Sequence, residues 1–240
     1  MTTLNEWFRQ SVNTADKLQM SVHRNPKNRL VIIGAGGHAT SVANIALACG
    51  YSIECFIDKE KINESLLGTR IIANIQDIKN PEDHYYAIAI GDNYARQKLH
   101  ESLTRENTNL TFPPLVHPSA TISFFTEIGQ GTVIMPNSCI GPNSQLGKFC
   151  IINSHASLDH DCRMGDYSSL APSATTGGKV IIGERTAICI ASTIKHGIKI
   201  GSDCVVGASS LALHNISNNT VAYGIPAKEI RRRHPGETYL

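Results

Sequence analysis

The sequence predicts two folding units, an α/β domain followed by a solenoid of short parallel strands. Apolar segments alternate with helical patterns across residues 29–112, which is typical of a parallel sheet with packed helices. From Val116 onward every sixth residue is aliphatic, and only Thr176 and Ala212 depart from this series. A period of six fits neither an α-helix nor a two-faced strand. Sustained over about a hundred residues, it indicates a solenoid.

An N-terminal extension precedes the α/β unit. A capping box at Thr3 and apolar residues at helical spacing predict a short amphipathic helix and a polar linker within residues 1–28. Strands are predicted at residues 30–33, 53–57, 86–90 and 110–112, and helices at residues 39–49 and 94–105. Pro113 and Pro114 then end the domain. The predicted units are therefore residues 1–28, 29–114, 115–216 and, for a C-terminal segment and tail, 217–240.

Two further columns of the six-residue register describe the shape of each coil. Glycine often follows the aliphatic residue directly, and we interpret it as an unhindered residue that turns a sharp corner. In most repeats a small side chain stands four residues after the aliphatic one, where it would tuck beside the corner. A large side chain at the centre of each repeat and a small one beside each corner predict triangular coils of three repeats each. Neighbouring coils would stack about 4.8 Å apart, like adjacent strands.

Composition narrows the class of protein. With 41% hydrophobic residues, 18% charged residues and a net charge of +2, the chain is typical of a globular protein, and no nucleic-acid partner is expected. No apolar run approaches the ~18 residues that would span a membrane, and no hydrophobic signal core is present. Seven cysteines without a CxxC pair favour a reduced, cytoplasmic location. The one basic cluster, residues 231–233, fits a solvated tail or a contact for an acidic ligand.

A glycine-rich loop follows the first predicted strand. Gly34, Gly36 and Ala39 match the pattern GxGxx[GA], and Asp58 stands where a ribose-binding acid would be expected. Bare amides at a helix N-terminus attract phosphate. The domain is too short to surround a dinucleotide, so a mononucleotide or a nucleotide-sugar fits better. The alternative is a tight strand–helix turn that binds no ligand.

The combination of motifs is more specific than the loop alone. GAGGHA at residues 34–39, IGDNxxRxxL at residues 90–99, a proline hinge and hexapeptide repeats follow one another. From residue 29 to about residue 230 the chain resembles the bacterial nucleotide-sugar acetyltransferases, which include bacillosamine-pathway N-acetyltransferases and sialic-acid O-acetyltransferase-type proteins. The resemblance implies a left-handed β-helix, acetyl-CoA as co-substrate, and a homotrimer with active sites between subunits. It implies no insertion into membranes.

The resemblance also implies roles for individual residues. His160 would be the catalytic base and Asp161 would orient it. The residues expected to bind the nucleotide-sugar are Gly34, Gly36, Gly37, His38, Asp58, Lys59, Gly91, Asn93, Arg96 and Asn153. The residues expected to bind the coenzyme are Ser169, Gly178, Ile190, Ala208, Gly224, Pro226 and Lys228. Ser169 departs from the pattern, because some relatives carry a second histidine there. His38 could instead cap the helix that follows it.

The chemistry of acyl transfer agrees with the choice of His160. An imidazole titrating near neutrality can accept the proton that an amine loses when it attacks a thioester. A carboxylate on the other ring nitrogen would fix the tautomer. The register puts His160 and Gly178 at the same repeat position, one coil or about 5 Å apart. The alternative for His160 is a corner histidine satisfied by its own loop.

Sequence alone leaves the acceptor open. The acceptor that the resemblance favours most is the amino group of a UDP-linked 4-amino sugar destined for a surface glycan. An O-acetyltransferase acting on a sialic-acid-like sugar is the first alternative. A zinc enzyme of the γ-carbonic anhydrase type is another, because His155 and His160 have a suggestive spacing. A non-catalytic nucleotide-sugar sensor is the third.

Overall fold

The structure is a computed structural model that describes residues 28–106 and 109–239. The amphipathic helix predicted within residues 1–28 lies outside the described residues. In the described part, an α/β domain packs against a triangular prism of stacked coils.

The α/β domain is built on a five-stranded sheet in the order β3-β4-β2-β1-β5. Its strands are β1 (Arg29–Ile33), β2 (Ser52–Ile57), β3 (Ser65–Leu66), β4 (Thr69–Ile72) and β5 (Tyr85–Ile88). Helix α1 (Gly37–Ala48) follows β1, helix α2 (Asn93–Glu106) follows β5, and short 3-10 turns span Ile75–Asp77 and Pro81–Asp83. The strands β4, β2, β1 and β5 are parallel, so their carboxyl ends meet at one edge.

Two predictions for this domain differ from the structure. The strand expected at residues 110–112 is reduced to a single bridge between Tyr85 and Thr111. The sequence predicts no strand between residues 57 and 86, but the structure has the hairpin of β3 and β4 there, with Leu67 and Gly68, both at positive φ, forming its tight turn. Its strands are too short to show a two-residue period, which explains why the pattern missed them.

The prism has three flat faces, each made of strands 18 residues apart in sequence. Face 1 contains β6 (Leu115–Val116), β9 (Val133–Ile134), β12 (Ile151–Ile152), β15 (Ser169–Leu170), β18 (Ala187–Ile188) and β21 (Val205–Val206), followed by β23 (Thr220–Gly224) and β24 (Ala227–Arg232). Face 2 contains β7 (Thr121–Ile122), β10 (Cys139–Ile140), β13 (Ser157–Leu158), β16 (Thr175–Thr176), β19 (Thr193–Ile194) and β22 (Leu211–Ala212). Face 3 contains β8 (Glu127–Ile128), β11 (Gln145–Leu146), β14 (Arg163–Met164), β17 (Ile181–Ile182) and β20 (Lys199–Ile200).

The aliphatic column forms the core of the prism. Ile140, Ile152, Leu158 and Ile188 are completely buried, and the small residues Cys150, Ala156 and Cys162 are buried beside them. Strands pair in parallel with an offset of 18 residues, so Ser157 lies beside Cys139 and Thr175 beside Ser157. Each residue therefore lies directly beside the residue 18 positions earlier, on the same face or corner of the prism and one strand further along its axis.

The glycine that follows the aliphatic residue is needed for a different reason from the one expected. A Cβ on Gly165 would lie 2.6 Å from the backbone nitrogen of Glu184, and most other glycines of this column also face the backbone of the next coil. The left-handed conformation falls two residues later, where Asn143, His155 and Asp161 have φ near +60°. Glycine in this column thus permits close stacking of coils, while the corners are turned mostly by non-glycine residues, with Gly131 and Gly197 as exceptions.

A hairpin of β23 and β24 ends the coil stack. Strand β23 pairs in parallel with β21, and β24 runs back antiparallel to β23. Beyond β24 the tail folds against the α/β domain, where the backbone N–H of Asn93 donates to the hydroxyl of Tyr239 at 3.2 Å. Within the described residues, no helix has both the length and the apolar character needed to cross a membrane.

We expect Gly165→Ala to destabilise the fold by at least about 2 kcal/mol, because backbone atoms of the next coil would have to move. Urea or thermal unfolding would measure the change. Arg163→Ala, at an exposed position of strand β14, which ends just before Gly165, should alter stability by less than about 0.5 kcal/mol. Equal stability of the two variants would contradict the stacking role of glycine.

Candidate active site

His160 and Asp161 form the turn between strands β13 and β14, on the edge where faces 2 and 3 meet. Asp161 has φ +57°, so its side chain projects back beside the imidazole. The Nδ1 atom of His160 lies 2.7 Å from Oδ2 of Asp161, and the two side chains are 48% and 38% exposed. The carboxylate can therefore hold the proton on Nδ1, which leaves a lone pair on Nε2.

Asp161 has a second partner that the sequence reasoning missed. The amide Nδ2 of Asn143 donates to Oδ1 of Asp161 at 2.6 Å. Hydrogen bonds from His160 and then from Asn143 lower the pKa of the Asp161 carboxyl below its usual value, so the group is ionised at neutral pH. Asn143 precedes Asp161 by one coil of 18 residues. That spacing is the signal that could have found it.

Gly178 lies directly against the imidazole ring. A Cβ built on Gly178 would overlap Nε2 and Cε1 of His160. Within the described residues no acceptor takes the Gly178 N–H, whereas its carbonyl accepts the N–H of Gly197 at 2.9 Å. The position thus offers a bare peptide and a free N–H next to the lone pair of His160. A backbone N–H without an acceptor can serve as an oxyanion-type donor.

The glycine loop lies at the carboxyl ends of β1 and β2. Gly34 has φ +107°, and a Cβ there would meet the carbonyl of Ala89, so a larger residue would be strained. Gly36 caps helix α1 without a side-chain hydrogen bond, and no atom lies within 4 Å of a Cβ built on Gly36 or Gly37. The open amides at this helix start can donate hydrogen bonds to an anion.

The acid after β2 braces this loop. Asp58 accepts hydrogen bonds from the backbone N–H of Ala35 and of Glu60, both at 3.0 Å. Lys59 is exposed, whereas Lys61 reaches across and donates to the carbonyl of Ala35 at 2.9 Å. The structure therefore adds Lys61 as a cation at the loop. Its place two residues beyond Lys59 gave no signal in the sequence.

His38 is a neutral imidazole in this structure. Burial, and then the charge of Arg96, lower its pKa to about 4. Its Nε2 atom is buried, and it has no hydrogen-bond partner among the described residues. A buried nitrogen without a partner is rare, and it makes His38 a candidate to bond a ligand that reshapes the loop.

Asn93 and Arg96, which were predicted to line the nucleotide pocket, bond inside the protein in this structure. Both side chains are completely or almost completely buried where the α/β domain meets the prism. Arg96 donates to five acceptors, namely the carbonyls of Phe149, Ile90, Gly91 and Tyr167 and the Asn93 side chain. Gly91 contributes its carbonyl to this set. A guanidinium with its donors bonded inside the protein has none left for a phosphate.

Ser169 and Asn153 lie on or beside face 1. Asn93 donates through Nδ2 to the hydroxyl of Ser169 at 3.1 Å and to the carbonyl of Arg185 at 3.2 Å. Ser169, which was expected to contact coenzyme, therefore helps to seat the α/β domain. Asn153 begins the corner between faces 1 and 2, and its side chain accepts the N–H of Ser154 at 2.8 Å. It does not share an edge with His160.

The other residues expected to bind coenzyme form an exposed region around the corner of faces 1 and 2 and the hairpin. Ile190 and Ala208 occupy the same corner position in successive coils, and Ser209 donates its N–H to the carbonyl of Ile190. The hairpin carries Gly224, Pro226 and Lys228. Ile190, Tyr223 and Ile225 are all more than half exposed there. An apolar surface of this kind is typical of a binding site.

Within a single chain, the predicted site residues lie on different edges of the prism. His160, Asp161 and Gly178 lie on the edge of faces 2 and 3. The α/β domain instead packs on face 1 and on the edge of faces 3 and 1, through Phe149 and Tyr167. Apart from Gly178 and Ser169, the predicted coenzyme residues lie towards the edge of faces 1 and 2.

Known proteins share both halves of this architecture. The family model of the PglD N-terminal domain matches residues 29–103. GDP-perosamine N-acetyltransferase of Escherichia coli O157:H7 is 27% identical over 214 residues, which are 84% of this chain and 96% of that protein. PerB from Caulobacter crescentus, solved with CoA and GDP-perosamine, is 30% identical with a TM-score of 0.78 over 85% of this chain and 98% of that one. The chain belongs to the acetyl-CoA-dependent hexapeptide-repeat sugar N-acetyltransferases.

A second solved member of this family has acetyl coenzyme A bound. It is the acetyltransferase domain of PglB from Neisseria gonorrhoeae, 31% identical with a TM-score of 0.79 over 85% of this chain and 99% of that one. The predicted fold class, an α/β domain followed by a left-handed parallel β-helix, is confirmed. So are the family resemblance and the co-substrate acetyl-CoA.

The histidine pair that suggested a zinc site is separated in this acetyltransferase. His155 turns the corner between faces 1 and 2, and His160 turns the next corner. Residues 28–106 and 109–239 contain no group of three or more histidine, cysteine or acidic side chains arranged to hold a metal ion.

The basic cluster of residues 231–233 is only partly a solvated tail. Arg233 is buried, and it donates to the carbonyls of Asp203 and Glu237. Arg231 pairs with Glu237, and Arg232 donates to the carbonyl of Asn218 at 2.7 Å. These contacts hold the tail, so Arg233 is not available to an acidic ligand.

We expect acid to destabilise the protein through His38. Its folded pKa of about 4 lies below the ordinary value of 6.5, so the unfolded chain binds more protons between these values and stability falls as pH falls through this window. From pH 7 to pH 5 the wild-type protein should lose roughly 2 kcal/mol more than His38→Gln.

Urea unfolding at the two pH values measures this difference. His214→Gln, at an exposed corner, is the matched control and should lose as much stability as the wild type. Identical losses in the wild type and in His38→Gln would show that His38 is not the source of the acid sensitivity.

Proposed function

We propose that the chain transfers the acetyl group of acetyl-CoA to the amino group of a nucleotide-linked amino sugar, with His160 as general base. The observation that carries the proposal is the placement of Gly178 against Nε2 of His160, while Nδ1 is bonded to Asp161. The glycine loop and the membership of a sugar N-acetyltransferase family support the acceptor class.

The chain's residues would move one proton through the reaction. When bound, the coenzyme supplies an acetyl group activated as a thioester. Nε2 of His160 takes a proton from the acceptor amine as its nitrogen bonds to the acyl carbon. The N–H of Gly178 donates to the oxygen on which negative charge develops. His160 then gives its proton to the leaving sulfur as the carbon–sulfur bond breaks.

Asp161 supports both proton transfers. Its carboxylate accepts the N–H of Nδ1 and stabilises the imidazolium that forms after the first transfer. Because its pKa is lowered, the carboxylate stays charged over the pH range in which an imidazole titrates. The pair is exposed at the prism edge, which leaves room for both substrates.

The coenzyme fits what the prism offers. The absence of a side chain at Gly178 lets the imidazole of His160 lie against the bare peptide, and Ile190, Tyr223 and Ile225 provide exposed apolar surface. Lys228 is an exposed cation on the same hairpin and would suit a phosphate.

The acceptor would bind at the glycine loop. The amides at the start of helix α1 suit its phosphates, and Lys61 places an ammonium beside the carbonyl of Ala35. GDP-perosamine is bound in the related Caulobacter enzyme, so it is the first acceptor to test. A UDP-linked 4-amino sugar, which the sequence favoured, is the second.

A complete site would form between neighbouring subunits of a homotrimer. In one chain the His160 edge and the glycine loop lie on different sides of the prism, and the predicted coenzyme residues are divided between two edges. A ring of three chains can bring the His160 edge of one subunit to face 1 of the next, since a heterologous contact repeated around a threefold axis closes.

The experiment for the acceptor is a thiol-release assay with acetyl-CoA and a panel of amino sugars linked to GDP, UDP and dTDP. We expect turnover with at least one member, and acetylation at nitrogen seen by mass spectrometry after mild base. The same panel with hydroxyl-only sugars is the control. Absence of turnover with every amino sugar would overturn the proposed function, and base-labile product would favour O-acetylation.

Complementation tests the shared site. His160→Ala should abolish most of kcat, and Gly36→Asp should weaken acceptor binding because its carboxylate repels phosphate while still capping helix α1. Each variant alone should be nearly inactive. Co-expressed one to one, they should recover about a quarter of wild-type activity, since one interface in four then combines two intact halves.

The double variant carrying both changes is the control for complementation. Co-expressed with the wild type, it should lower activity to the same fraction, because again only about a quarter of interfaces are intact. No recovery from the two single variants would place the whole site within one chain.

A further inference from the structure

The carboxylate that orients His160 is itself held at a defined angle. Asp161 stands on an exposed corner, where its side chain could rotate away from the imidazole. One coil earlier, Asn143 occupies the same corner position with the same left-handed backbone, φ +60° against +57°. Its Nδ2 atom lies 2.6 Å from Oδ1 of Asp161, while Oδ2 of Asp161 lies 2.7 Å from His160. Each carboxylate oxygen thus has its own donor.

From this relay we propose that Asn143 is a positioning residue for the acetyl transfer, which acts on His160 only through the carboxylate of Asp161. The inference rests on the proposed function of His160 as general base. The side chain of Asn143 bonds Asp161 and not the base itself, so Asn143 is a positioning residue and not a catalytic one.

An amide suits this task better than a charged donor. It gives a hydrogen bond without adding charge, so the full negative charge of Asp161 remains available to the imidazolium. A lysine at the same place would partly neutralise the carboxylate and favour the neutral imidazole. The amide also does not titrate, so the carboxylate is oriented equally at every pH at which the enzyme works.

Other charged groups at this edge act in different ways. Asp159 accepts the backbone N–H of His160 at 2.7 Å and so fixes the turn. Lys179 follows Asp161 by one coil, and its charge is a minor cause of the lowered pKa of Asp161. His196 lies below, against the backbone of Gly177. Of the described side chains around Asp161, Asn143 and His160 are the two that donate hydrogen bonds to its carboxylate.

Backbone preference alone does not account for Asn143. Asparagine is favoured in the left-handed region, and Asn137 holds the same corner position on the edge of faces 1 and 2 with φ +58°. Asn137 is on a different edge from His160. It therefore provides a control with the same residue type, the same backbone and no path to the base.

The test compares Asn143→Gly with Asn137→Gly, because glycine keeps the left-handed corner without strain. Both variants should fold. Asn143→Gly should lower kcat about tenfold, in line with the loss of one charge-assisted hydrogen bond partly screened by water, and should change KM for either substrate less than about twofold. The acidic limb of its kcat/KM profile should move to lower pH, because an imidazolium with a poorly held carboxylate is less stable. Asn137→Gly should match the wild type.

A double-mutant cycle separates positioning from simple structural damage. Asp161→Asn alone should lower kcat strongly, and adding Asn143→Gly should lower it no further, since the residue would have lost its route to His160. Additive losses, or an unchanged pH profile in Asn143→Gly, would overturn the inference.

A readout without turnover distinguishes this inference from the proposed function. The NMR signal of the His160 ring Nδ1 should shift in Asn143→Gly, because a poorly held carboxylate bonds it more weakly, and should stay in place in Asn137→Gly. If no acceptor is turned over but this shift is found, the proposed function fails and the relay stands. If the wild type is active and the shift is absent, the relay fails alone.

Discussion

The stacking of coils at intervals of 18 residues is the constraint on which the rest of the structure depends. Parallel backbone hydrogen bonds, such as that from the N–H of Lys179 to the carbonyl of His160 at 2.8 Å, lock each coil to the next. Any two positions one coil apart then lie against each other on the same edge. The hydrogen bond from Asn143 to Asp161 and the contact of His160 with Gly178 both arise because the two residues of each pair are 18 positions apart. The prism builds a site from residues that are distant in sequence but identical in register.

Arg96 holds the second half of the molecule in place. Its guanidinium joins helix α2, the end of β5 and the prism corner, and Asn93 extends the contact to face 1. Burying such a charge costs free energy unless every donor is bonded, which the five acceptors achieve. Because these bonds are directional, they fix the position of the α/β domain on the prism more closely than apolar packing alone. The glycine loop therefore has a fixed distance from the chain's own coils.

The solenoid and its register could be predicted from the sequence because both follow from the six-residue period of the aliphatic residues. The position of Gly178 beneath His160 is one example. The roles of Arg96 and Ser169 could not be predicted, since no periodicity tells which prism edge the α/β domain will cover. The function of the column glycines was misread for a related reason: a sequence shows where a side chain is missing but not which neighbour excludes it. The 18-residue spacing could also have placed Asn143 beside Asp161, but the residues around Asn143 gave no sign that its side chain had a role in the site. The residue assignments to substrate and coenzyme remain predictions.

The reversal of direction at β24 has a consequence for how these molecules behave in a crowded cell. A stack of parallel coils presents the same open edge at its end that it uses internally, so a bare end could recruit another chain and grow without limit. The hairpin replaces that edge of face 1 with an antiparallel strand bearing Lys228, Arg231 and Arg232. These three basic side chains outnumber the single acidic one, Glu229, so the strand has a net positive charge that repels an identical strand. Polymerisation is thereby discouraged by the last few residues of the fold, and a truncation just before β24 would be a candidate for fibre formation.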